Sequence, residues 1–148
     1  QCVIVYPCSD QGYEGVIKAI NERTSPSLQY RVHVNLEAPV FWGLLNIAGV
    51  MVGNSSAGLI ETPYFGLPAV NVGRRQEDRL HAENVLHVPH DRGAIAEAIR
   101  IALENEEFRK MAADCNRPFG NGKSGDKVID VLREIPLDRR LLVKRFVH

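Results

Sequence analysis

The feature that most constrains the fold is a regular alternation of short β-branched runs with longer stretches that have helical spacing. Strands are predicted over residues 2–6, 30–34, 50–52, 69–72 and 84–88. Helices are predicted over residues 13–23, 40–47, 56–65, 77–83, 93–104, 106–115 and 124–134. Short apolar strands that alternate with helices are typical of a parallel sheet covered on both faces. The sequence therefore predicts an α/β fold with a doubly wound parallel sheet flanked by helices.

The chain has 148 residues, of which 45% are hydrophobic, and this suits one domain with its own core. We expect that domain to cover residues 1–135. The tail 136–148 mixes apolar and basic residues and has no clear role in the core. Because residues 2–6 already look like a buried strand, we also expect the chain to be excised from a longer protein whose N-terminal part is missing.

Charge and cysteine content exclude several classes of function. The 18 basic residues balance 18 acidic ones, which argues against general binding to nucleic acid. The three cysteines are an odd number at irregular spacing, so we expect reduced thiols in the cytoplasm and no disulfide framework. No apolar run approaches the length of a membrane span, and no signal peptide is visible.

A glycine turn follows the third predicted strand, where ligands bind in doubly wound sheets. Gly53 and Gly58 lack a Cβ, so a phosphate could approach the backbone closely. Ser55 and Ser56 offer hydroxyl groups, and N–H groups at a helix start favour an anion. The turn is therefore a candidate anion site, although an Asn-Ser-Ser sequence before a helix is also a common N-cap.

Glu61 follows this turn inside the predicted helix, on the same side as Gly58. The axial rise from Ser56 to Glu61 is roughly 7 Å, about the step from a diphosphate to its ribose. A carboxylate at that place could accept hydrogen bonds from both ribose hydroxyls, as acidic residues do in dinucleotide sites.

The longer string from Gly53 to Arg79, G-N-S-S-A-G-L-I-E-T-P-Y-F-G-L-P-A-V-N-V-G-R-R-Q-E-D-R, resembles the signature of hydrolysing UDP-N-acetylglucosamine 2-epimerases. The matching features are the Asn-Ser-Ser turn, the helix glutamate, F-G-x-P, V-N-x-G and R-Q-x-x-R. The resemblance extends upstream to Tyr6-Pro7, Asp10 and Gly12. Downstream it includes residues 116–122, which are close to the family's N-P-[FY]-G-[DN]-G. The non-hydrolysing relatives have Asp-Ser-Gly-Gly where this chain has Asn-Ser-Ser-Ala, which favours the hydrolysing branch.

This resemblance implies one Rossmann-like half of a two-domain fold of the glycosyltransferase-B type. The chain would be the C-terminal, UDP-binding half, and its partners would be a UDP-sugar and the missing N-terminal half. The implied reaction removes UDP from UDP-N-acetylglucosamine or a diacetamido relative and adds water. The product would be a free ManNAc-type sugar for sialic or nonulosonic acid synthesis, with no metal or nicotinamide cofactor.

The resemblance also assigns roles to individual residues. Those assigned to the diphosphate are Ser55, Ser56, Gly58 and Arg75, with Glu61 on the ribose and Asn35 and Leu36 near the uracil. Further candidates are Cys8, Asp10 and Arg79. Arg75 could instead be a solvated arginine in a loop. Arg79 could instead form only an ion pair with Glu83, four residues later.

Departures from the family pattern limit these assignments. Cys8 stands where the family often has an asparagine that faces the nucleotide, and Arg117 is an extra residue before Pro118. The family's upstream His-Pro motif has no match, and its proton-transfer acids lie in the missing half. We therefore expect no catalytic residue in this chain and no activity from it alone.

The remaining titratable residues have plainer explanations. His87 and His90 are three residues apart and His81 lies nearby, but no third ligand has clear metal spacing. No metal site is therefore predicted. Asp10 and Glu14 resemble an acid/base couple, but a solvated helix start is the better explanation for them.

Two other functions remain open. A nucleotide-sugar glycosyltransferase of the same two-domain build would share the turn and the helix glutamate. A non-catalytic nucleotide-binding or interaction domain would explain the lack of catalytic residues. The tail 136–148 could cross to the missing domain or pair with a second copy in a homodimer.

Overall fold

The computed structural model describes residues 1–24, 29–138 and 141. The chain divides into two units, Gln1–Ala48 and Gly49–His148. The strands are β1 (Cys2–Val5), β2 (Tyr30–His33), β3 (Met51–Gly53), β4 (Ala69–Val72) and β5 (Val85–Val88). The helices are α1 (Tyr13–Arg23), α2 (Ala38–Ile47), α3 (Ala57–Ile60), α4 (Arg92–Glu104), α5 (Glu106–Ala113) and α6 (Ser124–Glu134).

In the described residues of the first unit, one parallel strand pair is accompanied by two helices. β1 pairs with β2 so that Cys2 lies opposite Tyr30 and Val5 lies opposite His33. The Tyr6 hydroxyl, just after β1, donates a 2.6 Å hydrogen bond to the side chain of Asn21 in α1. β1 is more exposed than its apolar sequence predicts, and Val5 keeps 40% of its surface accessible. The reason is that two four-residue strands form only a narrow sheet.

The second unit is built on a three-stranded parallel sheet in the order β3-β4-β5. Met51 lies opposite Ala69, and Ala69 lies opposite Val85. The central position of β4 explains why Ala69 and Val70 each keep only 1% of their surface accessible.

Helices cover both faces of this second sheet. Val70 packs with Ala98 and Ala102 of α4 and with Phe108 of α5. On the opposite face, Ala69 and Val85 pack against Leu59 of α3. Successive residues of a strand point to opposite faces, so Ala69 and Val70 belong to two separate cores. The predicted α/β class with parallel strands flanked by helices is confirmed.

Two predicted helices differ from the structure. The helix predicted over residues 56–65 is divided into α3 and a 3₁₀ turn, Thr62–Phe65. Pro63 explains the division, because proline disfavours α-helical geometry at the residue before it. The helix predicted over residues 77–83 is wrong. Residues 75–78 form a turn in which Asp78 has a φ of 60°.

Two helix ends carry signals that can be read from the sequence: Asp91 is a plausible N-cap, and Gly66 followed by Pro68 is a typical helix stop. The Asp91 carboxylate caps α4 by accepting a 2.8 Å hydrogen bond from the N–H of Ala94. Gly66, with a φ of 58°, ends the 3₁₀ turn before Pro68, as predicted. Among the described residues, no helix is long and apolar enough to cross a membrane. The predicted domain bounds 1–135 remain a prediction, and most of the tail 136–148 lies outside the described residues.

Candidate functional site

The turn after β3 is formed by residues 53–56. Gly53 has a φ of 152°, a conformation that residues with a side chain rarely adopt. Ser55 Oγ accepts a 3.3 Å hydrogen bond from the N–H of Ala57. Ser56 occupies the N-cap position of α3 but makes no capping hydrogen bond with its side chain. N-capping therefore involves the Ser55 hydroxyl and leaves the Ser56 hydroxyl out.

Backbone donors collect at this turn. The carbonyls of Ser55 and Ser56 accept hydrogen bonds from the N–H groups of Gly58 and Leu59, at 3.1 and 3.0 Å. Within the part of the chain that the structure describes, the N–H groups of Ser55 and Ser56 donate to no residue. Such N–H groups are the usual donors to a bound anion.

Gly58 packs towards the sheet. It is buried, and a Cβ added to it would lie 3.9 Å from the Cβ of Ala69 and 4.0 Å from Sδ of Met51. These are ordinary van der Waals distances, so the packing of α3 on the sheet leaves room for a Cβ at this position. Its predicted contact with a diphosphate stays a prediction.

Glu61 lies at the C-terminal end of α3, where a buried polar network holds the backbone. Its N–H donates to the carbonyl of Ala57 at 2.9 Å. The hydroxyl of the next residue, Thr62, donates to the carbonyl of Gly58 at 2.7 Å and accepts from the Asn84 amide at 2.8 Å. The hydrogen bonds of Thr62 therefore fix the direction in which the chain leaves Glu61.

The turn after β4 meets the turn after β3. Arg75 Nη1 donates a 3.1 Å hydrogen bond to the backbone carbonyl of Asn54, and the Arg75 side chain is exposed. The structure therefore brings Arg75 into contact with Asn54, the residue before Ser55, and its predicted contact with a diphosphate stays a prediction. A cationic side chain attached to this turn suits an anionic ligand.

Gln76 is a residue of this site that the sequence analysis did not single out. It keeps only 1% of its surface accessible, and its Nε2 donates a 2.8 Å hydrogen bond to the same carbonyl of Asn54. Its Oε1 accepts a 2.7 Å hydrogen bond from Arg79 Nη1. Arg79 therefore contacts Gln76, while the Glu83 carboxylate accepts from the N–H of Asn116 at 3.2 Å. The R-Q-x-x-R spacing was the available signal, because it brings Gln76 and Arg79 together across one turn.

Histidines lie beside the carboxyl ends of β4 and β5. The Asn71 amide contacts Nδ1 of His87 at 3.0 Å, and the rings of His87 and His81 have centroids 4.6 Å apart. Burial, and secondarily the neighbouring His81, lower the pKa of His87. His90 packs on Gly73 so closely that a Cβ at residue 73 would overlap the imidazole ring. Among the described residues, no three His, Cys, Asp or Glu side chains are grouped to hold a metal ion.

The other predicted site residues belong to the first unit. Cys8 is exposed after β1, and the carbonyl of Asp10 accepts from the N–H of Tyr13 at 3.0 Å. Asn35 and Leu36 follow β2. Their predicted contacts with a nucleotide stay predictions.

The downstream motif, residues 116–122, is attached to the 3₁₀ turn. The Tyr64 hydroxyl donates a 2.8 Å hydrogen bond to the carbonyl of Gly120, and the guanidinium of Arg117 lies 5.8 Å from the centre of the Tyr64 ring. Arg117 is the residue that the family pattern lacks, and here its guanidinium makes a cation–π contact with the Tyr64 ring.

Comparisons with known proteins identify the family of the chain. The model of the family described as UDP-N-acetylglucosamine 2-epimerase matches residues 1–133. The chain is 33% identical over 144 residues to a UDP-N,N'-diacetylbacillosamine 2-epimerase (hydrolyzing) of Legionella pneumophila. That match covers 97% of this chain and 37% of the relative.

Two further relatives are similar over shorter stretches. A UDP-N-acetylglucosamine 2-epimerase of Neisseria meningitidis is 31% identical over 106 residues, which cover 72% of this chain and 28% of the relative. A GDP/UDP-N,N'-diacetylbacillosamine 2-epimerase (hydrolyzing) of Campylobacter jejuni is 34% identical over 114 residues, which cover 76% of this chain and 29% of the relative. The chain thus spans roughly a third of the length of the curated relatives that it matches.

Proposed function

The chain belongs to the UDP-N-acetylglucosamine 2-epimerase family, and from this we propose that its second unit binds the UDP part of a UDP-sugar. The observation that supports this most directly is the meeting of two turns, in which Arg75 lies against the carbonyl of Asn54 and the N–H groups of Ser55 and Ser56 have no described acceptor. The diphosphate would accept from those N–H groups and from the serine hydroxyls, with Arg75 neutralising charge.

Glu61 would bind the ribose in this proposal. The α-type hydrogen bonds from Ile60 to Ser56 and from Glu61 to Ala57 preserve the helical rise between the turn and this carboxylate. An ionised carboxylate can accept from both ribose hydroxyls. The network around Thr62 supports this role, since it restricts the backbone at Glu61.

For the whole protein we propose the hydrolysing reaction. The elimination removes UDP from C1 and a proton from C2 of the sugar, which leaves a glycal. Water then adds to C1 and a proton to the opposite face of C2, giving the free 2-epimeric sugar. This branch is supported by two relatives that carry "hydrolyzing" in their names. It is also supported by the sequence Asn54-Ser55-Ser56-Ala57 of this chain. The acid and base would come from residues outside this chain, and no metal or nicotinamide is part of the proposal.

The ribose contact provides the first test. Replacing Glu61 by alanine in the full-length protein, the longest natural polypeptide that contains this chain, should weaken UDP binding. Loss of hydrogen bonds to a charged group costs about 1–3 kcal/mol, which is roughly a 5- to 150-fold rise in Kd. Calorimetric titration with UDP measures this directly.

Glu107→Ala is the matched control, because Glu107 is an exposed glutamate of α5 in the same unit. It should leave the Kd for UDP unchanged. Equal affinities of the Glu61 and Glu107 variants would reject the ribose role, and failure of the unaltered protein to bind UDP would reject the proposed function.

A further inference from the structure

The side chain of Gln76 bridges the turn after β4 and the turn after β3. Its Nε2 donates to the Asn54 carbonyl at 2.8 Å, and its Oε1 accepts from Arg79 Nη1 at 2.7 Å. A carbonyl requires a donor and a guanidinium requires an acceptor, so these two partners fix the orientation of the amide. Arg79 therefore selects which end of the Gln76 amide faces Asn54.

The direction of the Asn54 carbonyl determines the direction of the next N–H. No peptide bond in the described part of the chain is cis, and in a trans peptide the C=O and the following N–H point in opposite directions. With the Asn54 carbonyl turned towards the Gln76 amide, the N–H of Ser55 projects from the opposite edge of the same peptide plane. This is one of the two N–H groups that have no described acceptor.

Gln76 and Arg75 share the Asn54 carbonyl but differ in environment. Arg75 is exposed and its hydrogen bond is 3.1 Å long, whereas Gln76 is 1% exposed and its bond is 2.8 Å long. Water competes with the Arg75 hydrogen bond and is excluded from that of Gln76. The peptide plane between Asn54 and Ser55 is thus held mainly by Gln76.

We propose that Gln76 and Arg79 are positioning residues that set the Ser55 N–H for the diphosphate. Arg79 acts through Gln76 and makes no contact with the nucleotide itself. This inference rests on the proposed function, because it concerns the same UDP site. It predicts that Arg79, a cation 24 residues after Ser55 in the chain, affects binding without touching the ligand.

A double-mutant cycle on UDP affinity of the full-length protein tests the inference. Arg79→Ala alone should raise the Kd for UDP roughly 3- to 10-fold, the effect expected from one lost hydrogen bond. In a Gln76→Met background, which removes both hydrogen bonds at similar volume, Arg79→Ala should have no further effect. If Arg79 contacts the diphosphate directly, its loss raises the Kd by the same factor in both backgrounds, and the inference fails.

Hydrogen exchange without ligand gives a second measurement that does not depend on UDP. Exchange in a peptide covering residues 53–57 should accelerate in both single variants, because the peptide plane loses its restraint. A merely structural role would lower the melting temperature of the variants without changing the Kd of the folded protein. Unchanged exchange at residues 53–57 and unchanged Kd would overturn the inference while leaving the proposed function intact.

Arg109→Ala is the control for loss of a positive charge. Arg109 is exposed on α5 in the same unit. It should leave both the Kd for UDP and the exchange rate at residues 53–57 unchanged. Should Gln76→Met fail to fold, Arg79→Ala still tests the inference, since exposed Arg79 can be removed without opening the core and unaltered exchange in that variant would reject it.

Discussion

Several polar side chains in the second unit are buried because each joins two segments. Gln76 joins the turns after β3 and β4. Asn84, just before β5, donates to the Thr62 hydroxyl at 2.8 Å and to the carbonyl of Leu67 at 2.7 Å. Burial of a polar group is costly unless it is hydrogen-bonded, so such residues specify one arrangement of the loops. At the scale of single residues, the site is shaped by amides as much as by charges.

Gly66 is required by both its conformation and its surroundings. Its φ is 58°, and a Cβ at this position would lie 3.0 Å from the backbone Cα of Ala113 in α5. Gly66→Ala should lower the free energy of unfolding by at least 1–2 kcal/mol, the approximate cost of the left-handed conformation alone. Urea denaturation of the 148-residue chain would measure this.

Gly125→Ala is the corresponding control, because Gly125 lies in α6 and has nothing within 4 Å of an added Cβ. Alanine is favoured over glycine in a helix by up to about 1 kcal/mol, so this variant should be as stable as the original chain or more so. Equal stability of the Gly66 and Gly125 variants would contradict the packing described for the end of the 3₁₀ turn.

At the scale of elements, the short α3 changes the physical basis proposed for anion binding. The sequence predicts a helix over residues 56–65, whose dipole would favour a phosphate at its start. The α-helix contains only four residues, Ala57–Ile60, before the 3₁₀ turn. The dipole of so short a helix is small. Binding would therefore depend on the individual N–H groups of residues 55 and 56, the serine hydroxyls and Arg75.

The pairing of β4 with β5 predicts a pH dependence. Asn71 lies opposite His87 in the register, and its amide donates to the unprotonated Nδ1 of that ring. Burial lowers the pKa of His87, and the neighbouring His81 lowers it further. The unfolded chain then binds more protons than the folded one below the ordinary histidine pKa of about 6.5. Stability contributed by neutral His87 is present above that pH and is lost as the pH falls through the lower, folded pKa.

Replacing His87 by glutamine should reduce this pH dependence, because the amide keeps an acceptor for Asn71 but does not titrate. Urea midpoints measured between pH 7.5 and about pH 5 should fall less in the variant than in the original chain. His33→Gln, a substitution in β2 of the other unit, should leave the decline unchanged. An identical decline with glutamine at position 87 would show that other groups cause it.

At the scale of the whole molecule, the chain corresponds to roughly a third of the length of its relatives. The proposed reaction therefore belongs to the full-length protein. With UDP-N-acetylglucosamine or a diacetamido relative, that protein should release UDP and free 2-epimeric sugar in equal amounts. In D₂O the product should gain one deuterium at C2, because the proposed proton is replaced from solvent. Chelation with EDTA should leave the rate unchanged, since no metal is part of the proposal.

The products also separate the alternatives. Transfer of the sugar to an acceptor would indicate a glycosyltransferase, and a 2-epimeric sugar still joined to UDP would indicate the non-hydrolysing reaction. Binding of UDP with no turnover of any UDP-sugar would favour a non-catalytic domain. Mass spectrometry of the reaction mixture distinguishes these outcomes.

The sequence alone determined the features that depend on local order along the chain. Alternating apolar runs specify the strands and most helices, and the glycine-proline stop at Gly66 and Pro68 and the cap at Asp91 follow from backbone chemistry. The string from Gly53 to Arg79 also sufficed to indicate the family, because its signature consists of residue types at fixed spacings along the chain.

Only the tertiary structure decided how distant turns support one another. The segment 77–83 has a helical composition, yet Gln76 is drawn into the core by Asn54, which is 22 residues earlier, and a turn replaces the helix. Likewise, the sequence offers Glu83 as a partner for Arg79, whereas the folded chain provides Gln76. Hydrogen bonds between residues far apart in the chain compete with local propensity, and their outcome depends on which side chains the packed sheet brings within reach.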